Sequence, residues 1–128
     1  MNIYLKAFQL FQNLTAMYNV IFHLDETSKT WLSLQNIANL IIAMETNYTT
    51  IELLVNGEAV TELIQSNQAM LSTMLSLHKR GVIFAACAHS LHHAKISPTD
   101  LFEYVTIVPS GVAELVQKQS QGWAYIKP

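Results

Sequence analysis

Residues 82–91 read Val-Ile-Phe-Ala-Ala-Cys-Ala-His-Ser-Leu, and this stretch decides the fold. Its first six residues form a continuous apolar run that follows a Lys-Arg-Gly turn signal at residues 79–81. Such a run is typical of a strand that is buried on both faces of a parallel sheet. Because residues 88–94 then have a helical pattern, the stretch predicts a strand-to-helix junction with Cys87 at its centre.

Cys87 is the only cysteine of the chain. In open α/β sheets, ligands bind beyond the carboxyl ends of the strands, where the N–H groups of the following helix carry partial positive charge. These groups would stabilise a thiolate, so we expect a lowered pKa for Cys87 and a nucleophilic sulfur at neutral pH. The alternative is that Cys87 is an inert core residue, because free cysteines are among the most buried side chains.

The rest of the chain alternates between strand and helix patterns. Besides the strand at 82–87, strands are predicted at 18–24, 51–55, 105–108 and 123–126, and helices at 30–46, 58–65, 68–79, 88–94 and 110–121. This alternation predicts an α/β fold of three layers, α/β/α, with a mostly parallel five-stranded sheet. Residues 1–17 are predicted as an N-terminal helical lead-in, and residues 18–128 as the α/β domain.

The carboxyl ends of parallel strands meet at one edge of the sheet, so the residues that follow them are candidates for a binding site. They are His23, Asp25, Asn56, Gly57, Ser110 and Gly111, next to Cys87. Each also has an ordinary structural role. His23 and Asp25 end a strand and precede a helix, the two glycines permit tight turns, and Ser110 caps a helix.

The composition predicts a chain that associates with copies of itself. Of its 128 residues, 51% are hydrophobic and only 12% are charged, against about 25% charged in typical soluble domains. Helices of such a chain expose apolar residues that another subunit would cover. The net charge of −2 argues against binding to nucleic acid or to an anionic membrane surface.

The single cysteine excludes a disulfide framework and fits a reducing compartment, so we expect a cytoplasmic protein. No apolar run approaches the roughly 20 residues of a membrane helix, and the N-terminal residues lack a secretory pattern. Neither a P-loop nor a Gly-x-Gly-x-x-Gly motif occurs, so nucleotide chemistry has no support. We expect no cofactor.

Histidines follow the cysteine in the pattern Cys-x-His-x-x-His-His, which comprises Cys87, His89, His92 and His93. Sulfur and imidazole together could bind zinc or copper, but the spacing is weakly specific and we expect no metal. The favoured interpretation leaves His92 and His93 facing solvent or a subunit interface. In that interpretation His89 only neighbours the thiol. Alternatively, His89 stabilises the thiolate or carries a proton.

Several blocks of the sequence resemble one known family. They are Val-Asn-Gly-Glu-Ala-Val at 55–60, Gly-Val-Ile-Phe-Ala-Ala-Cys at 81–87, Val-Pro-Ser-Gly-Val-Ala-Glu-Leu at 108–115 and the ending Gly-Trp-Ala-Tyr-Ile-Lys-Pro at 122–128. With them, residues 18–128 resemble the DsrE family of small α/β proteins. The pair Ala88-His89 departs from the small polar pair, such as Gly-Asn, that commonly follows the cysteine in that family.

The resemblance implies a DsrEFH-like fold and a function in sulfur relay. In better-understood members, a single cysteine at this strand end takes and passes a persulfide sulfur, and the subunits form trimers, hexamers or ring-like hetero-oligomers. For this chain it implies a sulfur-accepting Cys87, a homotrimer or homohexamer, and sulfur donor and acceptor proteins as partners. The competing hypothesis is a non-enzymatic oligomeric module that binds a small molecule or a partner, with Cys87 structural.

Overall fold

The computed structural model describes residues 2–7, 18–44 and 48–128. Residues 3–7 are helical. Residues 1 and 8–17 lie outside the described residues, so the helical lead-in over 1–17 stays a prediction.

The chain forms a five-stranded sheet in which every pair of neighbouring strands is parallel. The strands are β1 (Tyr18–Leu24), β2 (Tyr48–Val55), β3 (Ile83–Cys87), β4 (Val105–Val108) and β5 (Ala124–Ile126). Their order across the sheet is β4-β3-β2-β1-β5. This confirms the predicted five-stranded sheet. β2 begins three residues before the predicted position 51, where Tyr-Thr-Thr at 48–50 has the aromatic and β-branched composition that strands favour.

Four α-helices connect the strands: α1 (Thr30–Met44), α2 (Gln68–Lys79), α3 (Ala88–His93) and α4 (Gly111–Ser120). Short 3₁₀ helices occupy Thr27–Lys29, Gly57–Leu63 and Pro98–Asp100. The helix predicted over 58–65 is therefore present as a 3₁₀ helix. This helix ends at Leu63, because the next residue, Ile64, is extended and forms an antiparallel bridge with Leu101. None of the helices in the described parts of the chain is long and apolar enough to cross a membrane.

The sheet has a core on each face. The larger core lies against α1 and α2 and includes Leu34, Ile37, Phe84, Ala86 and Met74. The smaller core comprises Ile21, Leu54, Ala85, Val108 and Leu115, of which Leu115 belongs to α4. Successive residues of β3 alternate between the two cores, so this strand is buried on both faces, as its apolar run predicts.

The single chain leaves several large apolar side chains exposed. They are Trp31, Leu32 and Ile42 on α1, Val112 and Val116 on α4, Ile107 on β4 and Tyr125 on β5. This confirms that the helices carry apolar residues on faces that a monomer leaves in water. Such residues are typical of surfaces that contact other subunits.

Ser110 caps α4, because its hydroxyl oxygen accepts a hydrogen bond from the N–H of Ala113 at 3.2 Å. We expect Ser110→Ala to lower the free energy of unfolding by about 1 kcal/mol, the usual contribution of an N-cap. Urea unfolding followed by circular dichroism measures this difference. Ser120→Ala is the matched control, since the Ser120 hydroxyl is exposed and binds only a carbonyl of its own helix. Equal stability of the two variants would contradict the prediction.

Candidate functional site

Cys87 is the last residue of β3, at the carboxyl edge of the sheet. Its side chain lies on the α4 side, because Cys87 follows Ala85 of the smaller core by two residues. Only 6% of the residue is exposed. The α3 helix begins at the next residue, so its first N–H groups lie beside the sulfur.

The Ser90 hydroxyl contacts both Gly57 and Cys87 at the carboxyl edge of the sheet. Its oxygen accepts a hydrogen bond from the N–H of Gly57 at 2.8 Å, and its proton is donated to the sulfur of Cys87. Because the Ser90 oxygen accepts a hydrogen bond from the N–H of Gly57, its own proton can point toward the Cys87 sulfur. Gly57 makes this contact with a positive φ of 60°, a conformation that favours glycine.

The surroundings of Cys87 favour its thiolate. Burial acts to raise the pKa of the thiol, but the Ser90 hydroxyl and the nearby N–H groups of Gly111, Ser90 and His89 favour the thiolate and outweigh burial. The net pKa is lowered, in the direction that the strand-end position predicts. The Cys87 side chain forms no N-cap hydrogen bond with α3, so the first N–H groups of α3 act on the sulfur as nearby dipoles.

Gly111 lies against both Cys87 and Asn56. A Cβ atom added at Gly111 would be 3.2 Å from the Cβ of Cys87 and 3.3 Å from the Cβ of Asn56. Its φ is not positive, unlike those of Gly57, Gly81 and Gly122. The backbone conformation therefore does not explain the glycine at 111. The close approach of the Cys87 and Asn56 side chains explains it, because they leave little room for a Cβ atom.

His23 links β1 to both of its neighbouring strands. Its Nε2 lies 2.9 Å from Oδ1 of Asn56, which directly follows β2, and its Nδ1 lies 2.8 Å from the hydroxyl of Tyr125 on β5. His23 and Asn56 are thus brought together, as the edge hypothesis predicts. Through Asn56 and Gly111, this group of side chains extends to Cys87.

A cavity of about 460 Å³ opens beside the cysteine. Its lining residues are Gly57, Glu58, His89, Ser90, His93 and Ala94. The lining includes the hydroxyl group that contacts the thiol, whereas Cys87 itself is not among these residues. The exposed imidazole of His89 borders this cavity, and the contribution of His89 to the sulfur comes from its backbone N–H.

The histidines after Cys87 do not converge. His89 and His93 line the cavity beside Ser90, whereas His92 lines a separate depression of about 230 Å³ with Ile96 and Ile107. Within residues 2–7, 18–44 and 48–128, no three His, Cys, Asp or Glu side chains are grouped so that they could bind a metal ion. The Cys-x-His-x-x-His-His pattern therefore forms no such group of three, because its side chains leave a short helix in different directions. His92 and His93 are exposed.

The model of the DsrE/DsrF-like family matches residues 12–128. The chain belongs to the DsrE/DsrF-like family. A solved structure from Methanobacterium thermoautotrophicum, the protein of unknown function MTH1491, is 34% identical and superposes with a TM-score of 0.80, covering 87% of this chain and 99% of its own. This DsrE/DsrF-like chain also shares its fold with the YchN protein of E. coli at 18% identity and a TM-score of 0.69, with coverage of 88% and 100%. A comparison with curated proteins gives no match.

Three residues at the carboxyl edge of the sheet in this DsrE/DsrF-like protein were not predicted as part of the site from the sequence. Ser90 lies three residues after Cys87, which is the spacing of a helix N3 position, whereas the sequence hypothesis placed only histidines beside the thiol. Tyr125 was assigned only to the last strand. Lys127 forms an ion pair of 2.7 Å with Asp25, so Asp25 is bound to the C-terminal segment and does not cap the helix that follows it.

Asp25 lies near the candidate site without joining it. The hydrogen bond from Lys127 lowers the pKa of its carboxyl group. The backbone oxygen of Asp25 is 3.3 Å from the position of a Cβ at Gly57. The backbone of Asp25 therefore lies beside Gly57, whose N–H donates to the Ser90 hydroxyl.

Proposed function

We propose that this chain accepts a persulfide sulfur on Cys87 and passes it to the thiol of a partner. The observation that carries the proposal is a thiol at the carboxyl edge of the sheet whose surroundings lower its pKa, beside a cavity. Membership of the DsrE/DsrF-like family supports a role of this sulfur-relay type. One cysteine suits a carrier, because a persulfide on it has no second thiol in the chain to attack it.

The transfer is a pair of thiol exchanges. The Cys87 thiolate attacks the outer sulfur of a donor persulfide, R–S–SH. The donor S–S bond breaks as the new S–S bond forms, and R–S⁻ leaves. In the second step, a thiolate of the acceptor attacks the outer sulfur now held on Cys87, and the Cys87 thiolate leaves. One sulfane sulfur moves in each step, so no external oxidant or reductant is needed.

The neighbouring residues have separate roles in this proposal. Gly57 orients the Ser90 hydroxyl, and Gly111 supplies an N–H to the sulfur. Ser110 caps the helix that begins at Gly111. His89 borders the cavity, where its imidazole takes the proton of an entering thiol and returns it to the leaving one.

The proposal also includes a homo-oligomer in the reducing cytoplasm. The exposed apolar side chains of α1 and α4 are the surfaces through which subunits would associate as a trimer or hexamer. Donor and acceptor proteins are the remaining partners. Each must bring its sulfur to the cavity beside Ser90.

Incubation with glutathione persulfide, followed by intact mass spectrometry, tests the function. We expect wild-type protein to gain the mass of one sulfur atom and to lose it when a reducing thiol is added. Cys87→Ser is the control and should gain nothing, because a hydroxyl does not form the S–S bond. If wild type gains no sulfur, or if the variant gains as much, Cys87 is not a sulfur carrier.

The second candidate is a binding module in which Cys87 is structural. The observation that favours it is the 6% exposure of Cys87 together with its absence from the cavity lining. In that case the cavity binds a small molecule through Glu58, His89 and His93. The same experiment separates the two, since a sealed thiol would neither take up sulfur nor react with iodoacetamide in the folded state.

A further inference from the structure

A carboxyl group is buried between the sheet and α4. Glu52 lies within β2, and only 3% of it is exposed. Its side chain is on the face that carries α4, because Leu54 of the smaller core follows it by two residues. Within the residues that the structure describes, Oε2 of Glu52 has no hydrogen-bond partner. An ionised carboxylate at this position would be desolvated and incompletely paired, which is unfavourable.

The neighbours of Glu52 on the sheet do not neutralise it. Ile83 of β3 and Ile21 of β1 lie beside it in register, and both are apolar. Tyr125 of β5 follows Ile21 in the same row, and its hydroxyl contacts His23. The charge of Glu52 therefore has to be balanced from α4.

The charged groups that face Glu52 belong to that helix. Glu114 shares a hydrogen bond with Glu52, and its carboxylate is 3.7 Å from Nζ of Lys118 one turn later. The same Nζ lies 4.5 Å from the centre of the Trp123 ring. A hydrogen bond between two carboxyl groups requires one proton. Burial and the proximity of Glu114 raise the pKa of Glu52 to about 7, so that this proton is lost near neutral pH.

The helix that carries Glu114 begins at the candidate site. α4 packs on β2 and β5, and the N–H of its first residue, Gly111, helps to lower the pKa of Cys87. A Cβ atom at Gly111 would be 3.2 Å from the Cβ of Cys87, so the start of the helix lies close to the thiol. Glu114 follows Gly111 within one helical turn. A displacement of Glu114 from the sheet therefore moves the Gly111 N–H as well.

We propose that a proton shared by Glu52 and Glu114 holds α4 on the sheet and thereby keeps the Gly111 N–H beside the Cys87 sulfur. When this proton passes to solvent, two carboxylates face each other across a buried interface, and α4 moves outward. The Cys87 thiolate then loses one of the groups that stabilise it. Glu52 and Glu114 are positioning residues, because they act on the sulfur through α4. The inference concerns the reactivity of the free thiol and goes beyond the sulfur that it carries.

The first measurement is the midpoint of iodoacetamide alkylation against pH. In Glu52→Gln the amide donates to Glu114 at every pH, so α4 stays in place. A hydrogen bond to a charged acceptor changes acidity by about tenfold or more, so the midpoint should lie about one pH unit below that of wild type. Glu114→Gln removes the other carboxylate and should lower the midpoint likewise, which keeps the inference testable if Glu52→Gln fails to fold. Glu103→Gln, at an exposed position, should match wild type.

The second measurement is hydrogen exchange of α4, read by mass spectrometry and corrected for its intrinsic dependence on pH. Between about pH 6 and about pH 8, the wild-type helix should lose protection as the shared proton is lost. The α4 helix of Glu52→Gln should keep its protection over the same range. α1 is the control within each sample, because it packs on the opposite face of the sheet.

The two measurements together decide the inference. If wild type, Glu52→Gln and Glu114→Gln have the same alkylation midpoint, the carboxyl pair does not control the thiol. If the midpoint shifts while the protection of α4 in wild type is independent of pH, the charge acts on the sulfur directly and the inference is overturned. Failure of wild type to take up sulfur would overturn the proposed function alone, since neither of these measurements involves a persulfide.

Discussion

Replacing Ser90 by alanine is expected to slow alkylation of Cys87 at neutral pH by about tenfold or more. The reason is the hydroxyl, which is the strongest of the donors that lower the pKa of this buried thiol. A hydrogen bond to a charged acceptor contributes about 1.5–3 kcal/mol, and each 1.4 kcal/mol is about tenfold in the population of thiolate. The Gly57 N–H would also lose its acceptor.

The measurement is the iodoacetamide rate as a function of pH. For Ser90→Ala the midpoint of this profile should move upward, while the plateau at high pH should stay close to that of wild type. Ser120→Ala is the matched control, because it removes a hydroxyl whose hydrogen bond lies within α4. An unchanged profile for Ser90→Ala would show that the backbone N–H groups alone stabilise the thiolate.

Replacing Glu52 by glutamine is expected to stabilise the protein by about 3 kcal/mol above pH 7. Glu52 is 3% exposed, and burial, repulsion by Glu114 and a shared hydrogen bond with Glu114 raise its pKa from 4.5 to about 7, against a smaller opposing effect of Lys118. A rise of this size, at 1.36 kcal/mol per pKa unit, gives about 3 kcal/mol. No donor in the described part of the chain reaches Oε2 of Glu52, and a proton makes this carboxyl a donor to Glu114.

The sign of the pH dependence follows from the raised pKa. In the unfolded chain the Glu52 carboxyl ionises above its ordinary value of 4.5, whereas in the folded chain it keeps its proton to about 7. Its contribution therefore falls as the pH rises between these two values, and the loss is complete above the folded pKa. Glutamine has no proton to lose, so the variant should lack this decline.

Urea unfolding at about pH 5 and about pH 8 tests this prediction, because the two conditions bracket most of the window. Wild-type stability should decrease between them more than that of Glu52→Gln. Glu103→Gln, at an exposed position, removes a carboxylate without changing the buried pair. A decline that is equal in wild type and Glu52→Gln would assign the pH dependence to other groups.

The apolar run at 82–87 was sufficient to predict a strand that is buried on both faces, because few other residue types fit such a position, whereas the family resemblance also needed the blocks at 55–60, 108–115 and 122–128. The order of the strands was not predictable. Alternation of strands and helices fixes parallel pairing, but β5 could have joined either edge, and it pairs with β1. A helix was predicted over 58–65, but its end at Leu63 was not predictable, because it depends on a bridge between Ile64 and Leu101, which are remote in sequence.

The position of the candidate site at the strand ends could be predicted from the sequence, whereas the hydrogen bonds within the site could not. Strand ends identified His23, Asn56 and Cys87 as neighbours, whereas the role of Ser90 depends on a hydrogen bond from Gly57 that no local pattern encodes. Gly111 illustrates the same limit. From the sequence, a glycine after a strand predicts a tight turn. The structure explains this glycine differently, because the side chains of Cys87 and Asn56, which follow different strands, lie too close for a Cβ atom at 111.

The contact between His23 and Tyr125 joins residues that are 102 positions apart. During synthesis, at about 5–20 residues per second, the ribosome adds Tyr125 roughly 5–20 s after His23. Until then β1 has an open edge and the imidazole lacks one of its two hydrogen-bond partners. The nascent chain therefore carries Cys87 before His23 meets Tyr125, so the contacts along this edge of the sheet are complete only after translation has passed the last strand.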